Sequence, residues 1–293
     1  MLLSVLIPVY KKHPEALIGE LLQQASSEGI ELEIIIHDDS ADEAASQWHE
    51  AYCQVPQLRI EKASENRGRS KSRNLLMDLA RGKFLLFLDG DMEIGPNFLK
   101  TYQQQLHPER LLCGGISTSH ADGGLRARYS ARVEEKSASL RNKHPYRSFT
   151  AANFVIPQKF KTSVRFPEQH QGYGHEDTHF GLQLLDLKIN IQHLDNPALH
   201  QGLDADPVFI AKSREAVHNL VKMYRNEPLF DKYSSEVKLI RAWLLLRPLG
   251  VLFFIYPFVK LFESRLQRPE ASLRWLSLYK LALFERYFRQ GVA

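Results

Sequence analysis

Two pairs of carboxylates are spaced to do chemistry together: Asp89 and Asp91 around Gly90, and the adjacent Glu176 and Asp177. The first pair closes an apolar run, "KFLLFLD" (83–89). In extended backbone, residues i and i+2 point the same way, so Asp89 and Asp91 can face one point while Gly90 admits a ligand to the main chain. Hard oxygen donors of this kind suit Mg²⁺ or Mn²⁺ held together with phosphates. A solvated turn competes with that reading, since turns favour Asp and Gly, but the apolar strand in front of the pair argues for a binding edge. A second constellation, "ENRGRSKSRN", packs Arg67, Arg69, Lys71 and Arg73 into seven residues, with Ser70 or Ser72 able to cap a following helix. Cations beside a helix start can hold phosphate, whereas the bland alternative is a solvated basic turn or a nucleic-acid contact. No aromatic residues are interleaved among the four cations, which weighs against nucleic acid. The chain contains no Walker-type or Gly-x-Gly-x-x-Gly loop, so P-loop and dinucleotide-binding classes lose support.

The elements that must position these residues are legible from periodicity. "SVLIPVY" (4–10), "ELEIIIHDD" (31–39) and "KFLLFLD" (83–89) are short apolar runs of strand character. Between them, "HPEALIGELLQQASSEG" carries Pro14 near its start and Gly29 at its end, and "SKSRNLLMDLARG" closes at Gly82, as helices do. Alternating strands and helices imply an α/β fold with right-handed crossovers and a parallel sheet buried on both faces. Ligands in such sheets sit beyond the carboxyl ends of the strands. The three runs end on Tyr10 and Lys11, on His37 to Ser40, and on Asp89 to Asp91, which predicts one cleft.

At this point the sequence resembles glycosyltransferase family 2, the nucleotide-sugar-dependent enzymes of the GT-A fold, over roughly residues 2–205. The likeness rests on ordered motifs: "SVLIPVY", "IIIHDDS", "ENRGRSKSRN", "FLDGDM", "GYGHEDTHFGLQL" and "DNPALHQGL". It implies a Rossmann-like, mostly parallel central sheet flanked by helices. Residues 1–110 would form the nucleotide-sugar half and 111–205 the acceptor half. By the same resemblance the nucleotide-sugar would meet Pro8, Tyr10, Asp38 or Asp39, Gly68, Arg73, Asp89 and Gly90. Asp91, with Asp89 and His200, would hold Mn²⁺ or Mg²⁺, and Asp177 would be the catalytic base with Glu176 positioning the acceptor.

Each assignment has a bland competitor. Acidic residues in a first helical turn are favoured by the helix dipole, which alone could explain Glu176 and Asp177. The functional reading has Asp177 remove the acceptor proton as the anomeric carbon is attacked, with metal stabilising the departing diphosphate; such a single displacement inverts the anomeric configuration. His175 and His179 lack the pattern of a zinc-protease helix and read as acceptor-pocket or surface groups. His200 is either a polar loop residue or a metal ligand, and imidazole takes Mn²⁺ less readily than later metals. The forty residues from Thr118 to Pro157 begin flexible and basic and finish as the strand "ANFVIP". Their Arg126 to Arg141 stretch reads by default as a solvated helix, with a helix that shapes the acceptor site as the alternative.

The last 85 residues carry no catalytic motif. A boundary at "GLDADPVF" (202–209) separates the transferase-like part from a C-terminal helical region, 206–293. Formal net charge is +4, and Val237 to Ala293 hold ten Lys and Arg against three Asp and Glu. Within that tail, Pro248 to Val259 is a twelve-residue apolar run, too short to span a bilayer. A hydrophobic hairpin, a buried helix or an interfacial segment are the open readings, and the mixture of Trp, Tyr and basic residues over 238–290 favours a membrane surface. Two cysteines are too few for a disulfide framework, and the opening "MLLSVLIPVY" lacks the basic leader of a signal peptide, so a cytoplasmic location, peripheral on the membrane, is expected.

The sequence therefore predicts an inverting, metal-dependent transferase moving a sugar from a nucleoside diphosphate, UDP by expectation, to a hydroxyl of a glycan or lipid-linked acceptor. A nucleotidyltransferase would need a glycine-rich triphosphate loop that "PVYKKHPEAL" does not supply. A non-catalytic glycan-binding or scaffold protein would be expected to lose the four carboxylates.

Overall fold

The computed structural model describes residues 1–42, 44–119, 123–169 and 172–291. His120 to Asp122, in the stretch expected to be flexible, lie outside the described residues. The expected strand and helix alternation is present as β1 (Leu3–Val9), α1 (Glu15–Glu28), β2 (Leu32–Asp38), β3 (Leu58–Lys62), α2 (Arg69–Leu79) and β4 (Phe84–Leu88). β3 is a half-buried edge strand whose alternating sequence "LRIEK" gives little apolar signal, and it was not expected.

The chain continues through β5 (Met92–Ile94), α3 (Phe98–Gln105), β6 (Arg110–Cys113), β7 (Ile116–Thr118), α4 (Leu125–Tyr129), α5 (Ala138–Arg141), β8 (Asn153–Pro157), α6 (Glu176–Asp186), β9 (Asn190–His193) and β10 (Ala198–His200). Seven strands form one sheet in the order β3-β2-β1-β4-β8-β6-β9. All its pairings are parallel except those of β8, which runs against both β4 and β6. Alternate residues serve opposite faces: Val5, Ile34 and Leu86 pack with α1 and α3, while Leu6, Ile35 and Leu85 pack with α2 and α6. Each fully buried aliphatic side chain of this kind contributes about 1.5–3 kcal/mol of hydrophobic free energy.

A second, three-stranded sheet, β5-β10-β7, sits where the first strands end. Its antiparallel β5–β10 register sets His200 opposite Met92. Asp89-Gly90-Asp91 lies between β4 and β5 and is a turn closed by Met92 N–H to the Asp89 carbonyl at 3.2 Å, which corrects the extended geometry expected for it. The lack of a side chain at Gly90 serves packing: a Cβ there would stand 2.9 Å from Val9 Cγ2.

The C-terminal region comprises α7 (Asp206–Asn226), α8 (Pro228–Lys232), α9 (Lys238–Leu246), α10 (Val251–Ile255), α11 (Val259–Leu266) and α12 (Leu273–Gln290). These helices share one apolar core, including Trp243, Tyr279 and Phe284, with Leu125 and Leu182 of the preceding part. Asp206 fastens the junction, accepting Leu125 N–H and Arg126 N–H at 2.8 Å each. Among the described residues no single helix is long and apolar enough to cross a membrane; 238–249 and 251–266 meet that test of length and composition only as a pair, bent by 101°. The inner face of this bend buries Leu252, Val259 and Phe262, and its outer face exposes Leu249 at 70% and Phe254 at 71%.

Candidate active site

Three of the expected segments converge through one arginine. Arg73, 3% exposed on α2, donates from Nη2 to Asp89 Oδ1 at 2.8 Å, and its Nη1 lies 3.7 Å from Glu176 Oε1. Phe166 supports the guanidinium, whose carbon stands 5.3 Å from the ring centroid. Its Nε and Nη1 are buried without a hydrogen-bond partner, so a cationic group with unused donors lies between the strand-end carboxylate and the start of α6. Arg69 reaches the same Glu176 oxygen at 3.7 Å and lies over Tyr173.

The loop that carries these arginines is fixed by Asp39. Its two carboxylate oxygens accept Arg67 N–H at 2.7 Å and Gly68 N–H at 2.8 Å. Gly68 precedes α2 with φ of 85°, a conformation in which any side chain would be strained. Neither Ser70 nor Ser72 caps the helix, contrary to the sequence expectation; Ser72 Oγ instead donates back to the Gly68 carbonyl at 3.0 Å. Asp38 is buried, accepts Ser40 N–H at 3.0 Å and lies 2.9 Å from His49 Nε2. Both aspartates expected near the nucleotide base thus already serve the protein's own loops. Pro8 is half-buried near the end of β1, Val9 after it is buried, and Tyr10 is exposed just beyond. A cleft of about 420 Å³ is lined by Arg67 to Lys71, Glu176 and residues of α7.

Asp91 and His200 are brought together by the second sheet. His200 Nε2 lies 3.5 Å from Asp91 Oδ2, and Gln201 N–H donates to the Asp91 carbonyl at 2.9 Å. Lys12, a residue not anticipated here, stands 3.9 Å from the same Asp91 oxygen. His200 Nδ1 is buried without a hydrogen-bond partner. Asp89 is turned to Arg73, and among the described residues no three His, Cys, Asp or Glu side chains are grouped to hold a metal. A carboxylate and an imidazole this close fit as two protein ligands of an octahedral cation that keeps its remaining positions for phosphate oxygens and water.

Asp177 occupies the first turn of α6 and lines a separate cavity of about 740 Å³. Burial, reinforced by the neighbouring Glu176 carboxylate, pushes its pKa up to about 7 against the opposing pull of Arg73 and of N–H donors, Thr178 N–H at 2.9 Å among them. His175, immediately before α6, holds a left-handed φ of 71°. Burial, with Lys280 adding to it, pushes the His175 imidazole down to about 4, so it stays neutral at pH 7. Lys280 comes from α12, and burial brings its ammonium down to about 8 although Glu134 favours the charged form. It was not anticipated, because nothing in its local sequence points to a cavity more than 100 residues upstream.

His179 departs from the acceptor-pocket or surface reading: it is buried, hydrogen-bonded to Gln183 at 2.7 Å and 3.9 Å from Glu227. The 126–141 stretch is likewise not a solvated helix. It is α4, a π-helical turn over Ser130–Glu134, and α5, and it walls the cavity. Arg141 is buried and donates to the carbonyls of Gly114 at 2.9 Å and Leu194 at 2.7 Å, so it holds this wall to the sheet.

Comparison with known proteins agrees with this geometry. In sequence, 104 residues, 34% of this chain, are 32% identical to poly(ribitol-phosphate) beta-N-acetylglucosaminyltransferase TarS of Staphylococcus aureus, and the match spans 18% of that protein's length. In structure, the crystal structure of S. aureus TarS 1-349 aligns at TM-score 0.50 and 20% identity, covering 99% of this chain and 92% of the other. The mannosyltransferase PcManGT from Pyrobaculum calidifontis, in complex with GDP-Man and Mn²⁺, aligns at TM-score 0.59 and 14% identity over 99% and 86%. The fold is that of these GT-A glycosyltransferases, with the C-terminal helices as described. Residues 4–164 match the family pattern described as glycosyl transferase family 2, more than half of the chain. The chain belongs to glycosyl transferase family 2.

Proposed function

We propose that the chain transfers a sugar from a nucleoside diphosphate, UDP in our reading, to a hydroxyl of a glycan or lipid-linked acceptor, with inversion at the anomeric carbon. The observation that carries this is the Arg73 bridge, by which one guanidinium faces both the Asp89 turn and Glu176, so the strand-end carboxylate is tied to the start of α6, where Asp177 follows Glu176. Arg73 and Arg69, with Lys12, supply positive charge for the donor diphosphate. Pro8, Tyr10, Gly68 and the loops that Asp38 and Asp39 brace form the nucleotide side, residues 1–110, and 111–205 supply the acceptor side. Asp91 and His200 would hold Mn²⁺ or Mg²⁺, which supplies Lewis-acid stabilisation of the departing diphosphate. Glu176, held by the two arginines, positions the acceptor. Asp177 accepts the acceptor's proton; with a pKa near 7 it is a stronger base than an ordinary aspartate and is still largely ionised slightly above neutrality.

The exposed apolar face of the bent 238–266 segment supports attachment to a membrane surface. Leu245, Phe253 and Phe258 stand on it with Leu249 and Phe254, and Arg247, Lys260 and Arg265 lie in the same segment. The reaction is tested by incubating each of several nucleotide-sugars with the protein, with Mn²⁺ or with chelator, and measuring nucleoside diphosphate release. Slow, metal-dependent release from one donor is expected; release from none would favour a scaffold that binds without turnover.

A further inference from the structure

The cavity that contains Asp177 is walled on its other sides by α9 and α12, and it holds an excess of positive charge. Its carboxylates other than Asp177 are committed: Glu134 accepts from Arg126 Nη1 at 2.7 Å and from Ser130 at 2.9 Å, and Glu236 pairs with Arg147 at 3.5 Å. Lys136, Lys238 and Lys280 line the same space, and among the described residues none of the three forms an ion pair with a carboxylate. Lys136 and Lys238 are near neighbours with Arg147 close by, and burial together with that crowding lowers the Lys238 pKa. The like charges of Lys136, Lys238 and Arg147 repel one another, and an anion placed among them would relieve the repulsion. Ammonium groups are compact charges with rotatable donors and suit a phosphate, whereas a planar carboxylate favours the fork of an arginine.

We propose that the acceptor carries a phosphate, that Lys136 and Lys238 bind it in this cavity, and that the C-terminal helices thereby form part of the acceptor site. The proposal rests on Asp177 serving the acceptor hydroxyl, and it adds the substrate's charge. The phosphate belongs either to a soluble polyol phosphate or to a lipid headgroup, for which Leu239, Leu276 and Leu278 offer apolar wall.

The test is calorimetric titration of the full chain with UDP and Mn²⁺ present to fill the donor cleft. Three probes are compared: a short glycerol-phosphate oligomer, a neutral oligosaccharide of matched length, and a prenyl phosphate in detergent micelles. At least one phosphate probe is expected to bind, with affinity that falls as salt rises and drops roughly tenfold in Lys136→Gln/Lys238→Gln. Binding by the oligomer assigns a soluble phosphate, and binding by the micellar probe alone assigns a lipid-borne one. Should the double variant misfold, Lys238→Gln alone, at an exposed position, supplies the comparison. The proposal is overturned if neither phosphate probe binds, if the neutral oligosaccharide binds as tightly, or if the variant keeps wild-type affinity. A protein that binds a phosphate probe but no nucleotide would refute the donor reading instead.

Discussion

Replacing Asp177 by Asn separates the carboxylate's charge from its shape. Asparagine keeps an oxygen to accept Thr178 N–H but never ionises, so it imitates the protonated aspartic acid. With an unfolded value of 3.8 and a folded value of about 7, the native protein binds the extra proton between those limits. Stability conferred by the neutral form is therefore present in full below 3.8 and is lost as pH rises through 7. At 1.36 kcal/mol per pKa unit, ionisation in this site costs about 1–2 kcal/mol at pH 5 and about 4 kcal/mol at pH 8. Asp177→Asn is expected to be the more stable protein, by a margin that widens by about 2–3 kcal/mol from pH 5 to pH 8. Urea unfolding of both proteins at the two pH values measures this through the midpoint, provided the slope is unchanged. A margin that stays flat or narrows as pH rises would refute the reasoning, because Asp177 would then titrate as an ordinary surface carboxylate. The same substitution should cut turnover by about 10²–10⁴, the usual worth of a positioned general base.

Other perturbations probe separate parts of the account. The pH profile of turnover at limiting substrate should rise on its acid side with an apparent pKa near 7, set by burial of Asp177, and a rise centred near 4 would assign the base elsewhere. Arg73→Met should leave Asp89 and Glu176 without their shared partner, lowering stability by about 1.5–3 kcal/mol in denaturant titration and weakening nucleotide binding; unchanged binding would detach Arg73 from the donor. Gly90→Ala should cost about 1–3 kcal/mol, because its methyl group would crowd Val9, and a neutral thermal shift would show that the turn yields. Phe254→Ser, at an exposed site, should reduce sedimentation with anionic vesicles severalfold while leaving the melting temperature in place; equal co-sedimentation would remove this face from the membrane reading.

Much of the first half was legible in the sequence because its signals are local. β1, β2 and β4 are uninterrupted apolar runs, α1 is bounded by Pro14 and Gly29, and α2 ends at Leu79, three residues before the expected Gly82, so chain order and crossover handedness placed their ends together. What escaped depends on contacts between distant segments. The direction of β8 is invisible in "NFVIP", since a fully buried strand reads the same in either sense. Asp91 meets His200 because β5 pairs with β10 across more than 100 residues, and the turn at Gly90 aims Asp89 elsewhere, to Arg73. His179 could not be told from a pocket histidine until α8 and Glu227 lay beside α6. Lys280 and Lys238 looked like surface charge in a basic tail, and only the packing of α9 and α12 turns them toward Asp177's cavity.

The central claim is that the strand-end carboxylates, with a divalent cation, hold a nucleoside diphosphate. It is tested most directly by calorimetric titration of UDP, GDP, CDP and dTDP into the protein with Mn²⁺ and with chelator, repeated on Asp91→Ala. The account expects one nucleotide to bind in the micromolar range with metal alone and to lose that binding in the variant. Binding that ignores both the metal and Asp91, or no binding by any of the four, would contradict it.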